Sequence, residues 1–472
     1  MFTRHLRRAF LPLLKEQRNS HGVPFAKNTR AFPIAGQSAP RFVSAEEAVS
    51  SIPSGAHIYI HGHAATPTEL CDALCDRALS DGYKYNFSHI ILSGNVRWGK
   101  KELYGKIRSN CLFICGSMRQ AVLDGAADYT PVFLVDIPAL YYDKIVPVDY
   151  ALVSVSPPDE HGYCSLGVDV DCTSAAINSA KHIIALVNPS MPRTFGDGAV
   201  HSSHFSAMVK TDRLIYHKAV PEQIGEAEQK IGKLIAENLV ENGATLQLGI
   251  GGIPDSTLAS MKNHKDLGIH TEMMCDGILD LLESNVINNQ AKAFMPGKNV
   301  ASFAYGSMRF FQHVNNNPLF HFASCGWTNH QDIIRRNSKM TAINACIEVD
   351  LTGQVVSDSI GERFYSGFGG QVDFITNACK GYDGRGKSIL AMTSRTEKGR
   401  PKIVPTIAQG AGVVCTRAHT HHLVTEYGIA SLFGKSVRQR AYDLINIAHP
   451  DDRESLEKEA FKRMKVMPSR EN

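Results

Sequence analysis

The sequence predicts an α/β protein made of two related open α/β domains with an active site between them. Two observations support this prediction: short β-branched runs alternate with helical patterns, and one strand motif that contains glycine occurs twice. Such alternation is typical of buried strands in a largely parallel sheet. A chain of 472 residues, of which 43% are apolar and 20% charged, can supply hydrophobic cores for two such domains.

Six short apolar runs in the first half predict buried strands. They cover residues 57–60, 90–92, 112–114, 132–135, 151–155 and 183–187. Helical patterns lie between them, for example over residues 68–79 and 118–124. Farther along the chain, residues 344–355 predict two strands joined by a turn.

The strand motif of residues 55–63 is repeated at residues 243–251. Each copy begins with Gly-Ala, continues into an apolar run and is followed by a proline, with helical patterns before and after it. We therefore predict an N-terminal domain over residues 42–225 and a C-terminal domain over residues 226–472, joined near residues 221–226. Ligands of open α/β sheets bind beyond the carboxyl ends of the strands, so the active site is expected where the two sets of strand ends face each other.

Residues 1–41 carry eight basic side chains against the single acid Glu16, although the whole chain has a net charge of only +4. On a helix, Phe2, Leu6 and Phe10 would share one face while the arginines occupy another. This pattern predicts a mitochondrial transit peptide, and hence the mitochondrial matrix or a mitochondrion-derived organelle; the alternative is a disordered basic tail. The rest of the chain is mildly acidic, so nucleic acid is not an expected partner. No apolar run reaches eighteen residues, so no membrane partner is expected either.

The eleven cysteines form no dense spacing pattern, which fits a reducing compartment and mostly buried thiols. Two pairs of cysteines are four residues apart, which is one helical turn and not the Cys-x-x-Cys spacing of a zinc knuckle. The histidines of residues 419–422 lack a partnering acid at a helical interval and predict a solvated loop. We predict no metal site.

Glu272 is the strongest candidate for a reacting residue, because it lies between the glycine clusters of residues 249–252 and 367–370. A carboxylate between such clusters suggests acyl chemistry, in which backbone N–H groups approach a ligand closely. Read alone, the first cluster and an acid about twenty residues later also resemble a dinucleotide fingerprint, although Pro254 stands where the third glycine would be. A plain tight turn with a surface glutamate is the third interpretation.

A series of further motifs decides between these interpretations. They cover residues 155–163, 188–194, 344–355, 366–374, 403–405, 424–430 and 447–450. In this order, the set resembles the acetyl-CoA hydrolase/transferase family of class I CoA-transferases, especially its acetate:succinate and 4-hydroxybutyrate CoA-transferase branch. The resemblance extends over residues 43–463 and implies two open α/β CoA-transferase domains with the active site between them.

Position by position, the resemblance implies that Glu272 is the nucleophile, while Asn329 and the backbone N–H of Gly370 stabilise the oxyanion. It also implies a CoA-binding set, which consists of Gly249, Ile250, Gly251, Gly252, Ile253, Ile347, Ser366, Gly370 and Lys398. Glu348 and Glu426 lie in motifs of the same family. Their strand-like surroundings favour an ion-pairing or cleft-lining role.

The activity implied by the resemblance is CoA transfer from acetyl-CoA to succinate, through a glutamyl-CoA thioester. The alternatives are another short-chain acid such as 4-hydroxybutyrate, hydrolysis of acetyl-CoA, or acyl-CoA binding without catalysis. CoA and acyl-CoA are implied as substrates, with no permanently bound cofactor, and a homodimer is expected. His270, two positions from Glu272 on a strand, is the candidate to activate water; the alternative is a histidine packed against the sheet.

Overall fold

The structure is a computed structural model that describes residues 28–218 and 224–471. Its first half surrounds a seven-stranded sheet, the N-terminal sheet, in which all neighbouring strands are parallel. In spatial order its strands are Asp128–Tyr129, Ile107–Cys111, Tyr85–His89, His57–Ile60, Tyr150–Val155, His182–Val187 and Ala207–Lys210.

The second half surrounds a six-stranded sheet, the C-terminal sheet. Its neighbouring strands are parallel except for the last pair, which is antiparallel. In spatial order the strands are Gly268–Ile269, Thr245–Leu248, Thr341–Ala345, Lys387–Ala391, His422–Thr425 and Gly428–Ser431. The two domains are therefore both α/β, as the sequence predicts.

Short strands outside the two main sheets form small ladders. The pairs are Tyr163–Ser165 with Ala199–His201, Met273–Met274 with Phe303–Ala304, Asn299–Ala301 with Phe320–Phe322, Glu348–Asp350 with both Val355–Val356 and Ile403–Val404, and Ser359–Ile360 with Arg363–Phe364. The antiparallel pairing of Glu348 with Val356 confirms the strand pair predicted within residues 344–355.

The α-helices are Ala45–Val49, Thr68–Ser80, Arg119–Leu123, Ile137–Tyr142, Thr173–Ser179, Glu226–Leu239, Gly252–Ala259, Leu279–Glu283, Met308–Val314, Cys325–Thr328, Gln331–Arg335, Gln371–Ala378, Val437–Asn446 and Pro450–Met464. Short 3-10 turns cover Thr29–Ala31, Arg97–Gly99, Lys101–Leu103, Leu134–Asp136, Ser202–His204 and Asp276–Ile278. Capping side chains set several helix starts. Glu228, for example, accepts the N–H of Gly225 at 2.9 Å and so satisfies a free donor at the start of Glu226–Leu239.

Three of the six predicted strands, at residues 57–60, 151–155 and 183–187, coincide with strands of the N-terminal sheet. The predictions for residues 90–92, 112–114 and 132–135 are wrong, because the actual strands end at His89, Cys111 and Tyr129. The apolar residues that follow, such as Ile90 and Leu112, are buried in a core shared by both halves of the chain. Burial against the other domain therefore produces apolar runs that resemble strands.

The repeated motif occupies equivalent places in the two sheets. Residues 57–60 and 245–248 each lie between two parallel neighbours, and the preceding Gly55 and Gly243 have φ angles of 88° and 75°. Two of the sequence predictions fall on undescribed residues: most of the leader, residues 1–27, and residues 219–223 of the domain junction.

The prediction of mostly buried thiols is confirmed, since nine of the eleven cysteines are buried. The loop predicted for residues 419–422 is shorter than expected, because His422 begins a strand of the C-terminal sheet. Among the described residues, no helix is both long enough and apolar enough to cross a bilayer.

Candidate active site

Glu272 lies between the strands Gly268–Ile269 and Met273–Met274, and its backbone carbonyl accepts the N–H groups of Ser302 at 2.9 Å and Phe303 at 3.1 Å. Its carboxylate receives two further donors. The side-chain amide of Asn329 donates to Oε2 at 3.3 Å, and the backbone N–H of Gly370 also donates to this carboxylate. The structure thus brings the three predicted catalytic residues together.

Gly370 has to be a glycine because of the space around it. A Cβ atom there would lie well inside contact distance of both Glu272 Oε2 and Asn329 Nδ2. Its φ angle of −100° is open to other residues, so the restriction is the close approach of the backbone to the carboxylate.

Asn329 is held by a carboxyl group that the sequence analysis missed. Its Nδ2 donates a second hydrogen bond, at 3.1 Å, to Oδ2 of the buried Asp373, which also accepts the N–H of Val135 at 3.2 Å. Burial raises the pKa of Asp373 to about 8. Its position in the first turn of the helix that begins after Gly370 was the signal that could have revealed it.

His270 does not reach the carboxylate of Glu272. Its ring is buried, and Nε2 donates to the carbonyl of Thr328 at 2.8 Å, directly before Asn329 in the chain. Burial lowers the pKa of this imidazole to about 3, so it is neutral. The structure therefore supports the packed histidine and gives His270 a role in positioning Asn329.

The histidine beside Glu272 comes from the N-terminal domain, which corrects the sequence analysis. His63 follows the strand His57–Ile60, stacks on Phe303 with ring centroids 4.0 Å apart, and is close enough to Glu272 for the two side chains to interact electrostatically. Its Nδ1 lies 3.1 Å from Oδ2 of the buried Asp169. The sequence showed His63 only as the last residue of the repeated motif.

Most of the predicted CoA-binding residues lie beyond the carboxyl ends of two neighbouring strands of the C-terminal sheet. Residues 249–251 follow the strand Thr245–Leu248, residues 252–253 begin the helix Gly252–Ala259, and Ile347 follows the strand Thr341–Ala345. Parallel strands place these loops side by side, with Gly249 against the backbone of Asn344. Ile250 is 56% exposed and therefore available to a ligand.

Two members of this set lie on other segments. Ser366 is partly buried and begins the segment that leads to Gly370, whereas Lys398 is exposed on the turn after the strand Lys387–Ala391. Glu348 and Glu426 make no ion pair among the described residues. Glu348 accepts the N–H of Ala408, and Glu426 accepts two hydrogen bonds from Ser394.

The segment before Gly370 packs directly against the N-terminal domain. The N–H of Leu134 donates to the carbonyl of Gly369 at 3.0 Å, and Nε of Arg119 donates to that of Tyr365 at 2.7 Å. A Cβ at Gly367 would meet Phe113 at 3.0 Å. The position of the Gly370 N–H, which donates to Glu272, therefore depends on contact between the two domains.

His63, Asp169 and Asp171 form the one group of three potential metal ligands among the described residues, with ligand atoms within 4.8 Å of one another. Nδ1 of His63 lies 3.1 Å from Oδ2 of Asp169 and 3.9 Å from Oδ2 of Asp171, and the two carboxyl groups are close enough to share a proton. We interpret the group as a network that shares protons and not as a coordination shell.

Burial raises the pKa of Glu272 to about 7, while the hydrogen bonds from Asn329 and Gly370 oppose the rise. The role expected for Glu272 requires its ionised form, so we expect kcat/KM for acetyl-CoA to fall about tenfold per pH unit below pH 7 and to level off above it. Initial rates between pH 5 and 9 measure this. A pH profile that levels off near pH 4.5 instead of pH 7 would contradict this prediction.

Comparison with known proteins places this site in a family. Models of the acetyl-CoA hydrolase/transferase N-terminal and C-terminal domains match residues 35–223 and 306–460. The chain belongs to the acetyl-CoA hydrolase/transferase family. Members of this family are enzymes, and several relatives of this chain are named as CoA-transferases.

Relatives within this family cover nearly the whole chain. A succinyl-CoA:acetate/propanoyl-CoA:succinate CoA transferase of Fasciola hepatica is 50% identical over 91% of this chain and 90% of its own length. A 4-hydroxybutyrate coenzyme A transferase of Clostridium kluyveri is 44% identical, over 90% of this chain and 98% of its own. An acetyl-CoA hydrolase of Kluyveromyces lactis is 31% identical, but over only 45% of this chain and 40% of its own.

Solved structures of the family share the fold. RipA from Yersinia pestis is 33% identical with a TM-score of 0.84, and a 4-hydroxybutyrate CoA-transferase from Porphyromonas gingivalis is 34% identical with a TM-score of 0.74. Each comparison covers 90% of this chain and 98% of the other.

Proposed function

We propose that this enzyme transfers CoA from acetyl-CoA to succinate, forming acetate and succinyl-CoA through a glutamyl-CoA thioester on Glu272. The observation that carries the proposal is the Glu272 carboxylate, which accepts both Asn329 Nδ2 and Gly370 N–H. The acid acceptor is inferred from the Fasciola hepatica relative, which is named for succinyl-CoA and acetate.

The first half-reaction converts Glu272 into a thioester. A carboxylate oxygen of Glu272 attacks the thioester carbonyl of acetyl-CoA, the C–S bond breaks, and CoA leaves as the thiolate, which produces a mixed anhydride. The thiolate then attacks the glutamyl carbonyl. The anhydride C–O bond breaks, acetate leaves, and glutamyl-CoA remains.

The second half-reaction reverses these steps with another acid. Succinate attacks the glutamyl-CoA carbonyl and expels the thiolate, which then attacks the succinyl carbonyl and regenerates the Glu272 carboxylate. No net proton is consumed in the cycle.

Asn329 and Gly370 suit both half-reactions, because they already donate to a Glu272 oxygen. Whenever a thiolate or a carboxylate attacks the glutamyl carbon, that oxygen becomes the oxyanion. Preorganised donors stabilise such charge without reorganising during the reaction, and one donor typically contributes about a hundred- to a thousand-fold in rate.

The test of the proposal is the dependence of CoA transfer on the acid. We expect acetyl-CoA and succinate to give succinyl-CoA with ping-pong kinetics, and expect only slow CoA release without an acid. Butyrate and 4-hydroxybutyrate replace succinate as control acceptors. Equal CoA release with and without acids would make the enzyme a hydrolase.

We also propose that the basic leader directs the protein to mitochondria or to a mitochondrion-derived organelle. The first described residues are already part of the folded body. Asn28 donates to the carbonyls of Asp197 at 3.0 Å and Ala199 at 2.8 Å, and Arg30 donates to that of Ile177 at 2.9 Å. We expect the mature chain to begin within residues 29–43. A start at Thr29 would lose the two hydrogen bonds of Asn28 and keep that of Arg30.

Two truncations test the leader. We expect removal of residues 1–27 to abolish import and leave both kcat and Tm unchanged, whereas removal of residues 1–41 should also lower Tm, because the hydrogen bonds of Arg30 are lost. Import into isolated mitochondria and thermal melts measure these effects. Import of the chain that lacks residues 1–27, or a full-length protein found in the cytosol, would contradict the proposal.

We also propose that the enzyme is a homodimer, and sedimentation velocity measures its oligomeric state.

A further inference from the structure

His63 has a backbone conformation that histidine rarely adopts. Its φ angle is 43°, in the left-handed region, where a side chain costs energy. In the repeated motif the matching residue of the second domain is Gly251, whose φ angle of 122° is open to glycine. A histidine where a glycine would be unstrained indicates that the imidazole ring is required.

The ring is fixed on one side and has a free nitrogen on the other. Nδ1 contacts the carboxyl group of Asp169 at 3.1 and 3.3 Å, and the ring stacks on Phe303. Nε2 is buried and has no hydrogen-bond partner among the described residues. Because an unsatisfied buried polar atom is costly, this atom indicates a place for a ligand.

Backbone hydrogen bonds bring the segments around His63 close to Glu272. The N–H groups of Val170 and Asp171 both donate to the carbonyl of Ser302 at 3.1 Å, and the N–H of Phe303 donates to the carbonyl of Glu272 at the same distance. Residues 302–303 therefore lie between the two aspartates and Glu272. His63, stacked on Phe303, lies close enough to interact electrostatically with Glu272.

The two aspartates form a hydrogen-bonded carboxyl pair. Oδ1 of Asp171 accepts the N–H and hydroxyl of Thr173, each at 2.8 Å, while the carboxyl groups of Asp171 and Asp169 bond to each other. His61 donates Nε2–H to the backbone carbonyl of Asp169 at 2.7 Å and so anchors the pair. Two carboxyl groups can share such a bond only if at least one of them is protonated.

Burial moves all three side chains toward their uncharged forms at neutral pH. It raises the pKa of Asp169 to about 8 and that of Asp171 to about 7, and it lowers the pKa of His63 to about 4. The other titratable groups that face the network are Glu272, which ionises, and a set held uncharged by burial: His61, Tyr59, Tyr141, Cys172 and Cys325.

In the uncharged network the hydrogens have one consistent arrangement. Asp171 donates to Asp169, Asp169 donates to Nδ1 of His63, and the ring hydrogen is then on Nε2. We propose that Asp169 and Asp171 are positioning residues that hold His63 with Nε2–H presented to the carboxylate of the acid substrate. This inference rests on the proposed function, since the ligand is the acid that gives or receives CoA.

The loss of the negative charge of Glu272 during the reaction cycle allows one substrate carboxylate to bind beside His63. Glu272 is negative in the free enzyme and neutral as glutamyl-CoA, so the incoming carboxylate replaces the lost charge beside Nε2–H. When the network loses a proton at higher pH, Nδ1–H donates to ionised Asp169 and Nε2 becomes an acceptor. Carboxylate affinity should therefore be constant below about pH 7 and decrease above about pH 8.

The experiment separates carboxylate binding from turnover. Glu272→Gln is a neutral mimic of the thioester state, so acetate binding to this variant can be measured by calorimetry from pH 6 to 9.5. In this background we expect His63→Phe, which keeps the stacking ring, to weaken acetate binding on the order of tenfold or more, as for a lost hydrogen bond to a charged group. In the active enzyme, His63→Phe should raise KM for succinate by a similar factor, about tenfold or more, and change KM for acetyl-CoA less than twofold.

Asp169→Asn tests the positioning role. With its amide oxygen accepting from Asp171, its NH2 group donates to Nδ1 of His63, and unlike a carboxyl group it cannot ionise at high pH. We expect this variant to bind acetate at neutral pH within about threefold of its parent and to lose the alkaline decrease. Asp350→Asn is the control, since Asp350 is another buried aspartate, hydrogen-bonded to Thr352 and Gln354. The Asp350→Asn variant should keep the decrease of acetate affinity at alkaline pH.

Three outcomes would overturn the inference: acetate affinity independent of pH in Glu272→Gln, an alkaline decrease that persists in Asp169→Asn, or acetate binding unaffected by His63→Phe. Binding of Zn²⁺ alone to the wild type and not to Asp169→Asn would also overturn it, because a metal would then occupy the network. If acid-dependent transfer is absent while acetate binding behaves as expected, the proposed function fails and the carboxylate site stands.

Discussion

Replacement of Glu272 by alanine is expected to reduce CoA transfer to the uncatalysed background, because no other described side chain receives donors from both Asn329 and Gly370. Glu272→Asp should lose at least about a hundredfold, since one methylene less moves the carboxylate about an ångström from its near-attack position. Succinyl-CoA formation measured by chromatography gives both values.

Trapping and stability distinguish the loss of the nucleophile from loss of the fold. Borohydride added after acetyl-CoA should inactivate the wild type by reducing the glutamyl thioester, and should have no effect without acetyl-CoA. Glu272→Gln should melt at or above the wild-type Tm, because burial disfavours the carboxylate that it replaces. Retention of most activity by Glu272→Ala would refute the central role of this residue.

The second large effect is expected for Gly370→Ala. The new methyl group would displace Glu272 Oε2 or Asn329 Nδ2, so that the carboxylate and its side-chain donor could not occupy their present positions together. We expect kcat to fall by at least about a hundred- to a thousand-fold, as when an oxyanion donor is removed.

Gly116→Ala is the matched control for this substitution. A Cβ at residue 116 would meet only Arg119 Nη1, at 3.9 Å, and should leave kcat unchanged. Single-turnover formation of glutamyl-CoA and thermal melts measure both variants. A Gly370→Ala enzyme with more than a tenth of the wild-type kcat would show that the backbone donor is not needed.

The parts of this site that follow one another within the second half of the chain could be predicted from the sequence. Glu272 stood out as a carboxylate between glycine clusters, and the family resemblance implied the roles of Asn329 and Gly370. Asp373 lay inside one of those motifs but had no spacing pattern of its own. Its role depends on Asn329 and Val135, which are far from it in sequence.

His270 and His63 show why proximity in sequence misleads. His270 is two residues from Glu272, yet its ring points to the carbonyl of Thr328. His63 is 209 residues away from Glu272, yet it stacks on Phe303, whose N–H is bonded to the carbonyl of Glu272. Sequence periodicity places side chains on a face of one element, but it contains no information on which second element will cover that face.

The sequence by itself determined the α/β class, the repeated strand motif and the glutamate with its glycine neighbours, because each depends on local preferences or on adjacent residues. Only the tertiary structure decided that apolar residues after the strands, such as Ile90 and Leu112, pack in the shared core. It also decided that His63, Asp169 and Asp171 form one cluster near Glu272. Those contacts join residues far apart in the chain, and they form only when the carboxyl ends of two sheets are brought face to face.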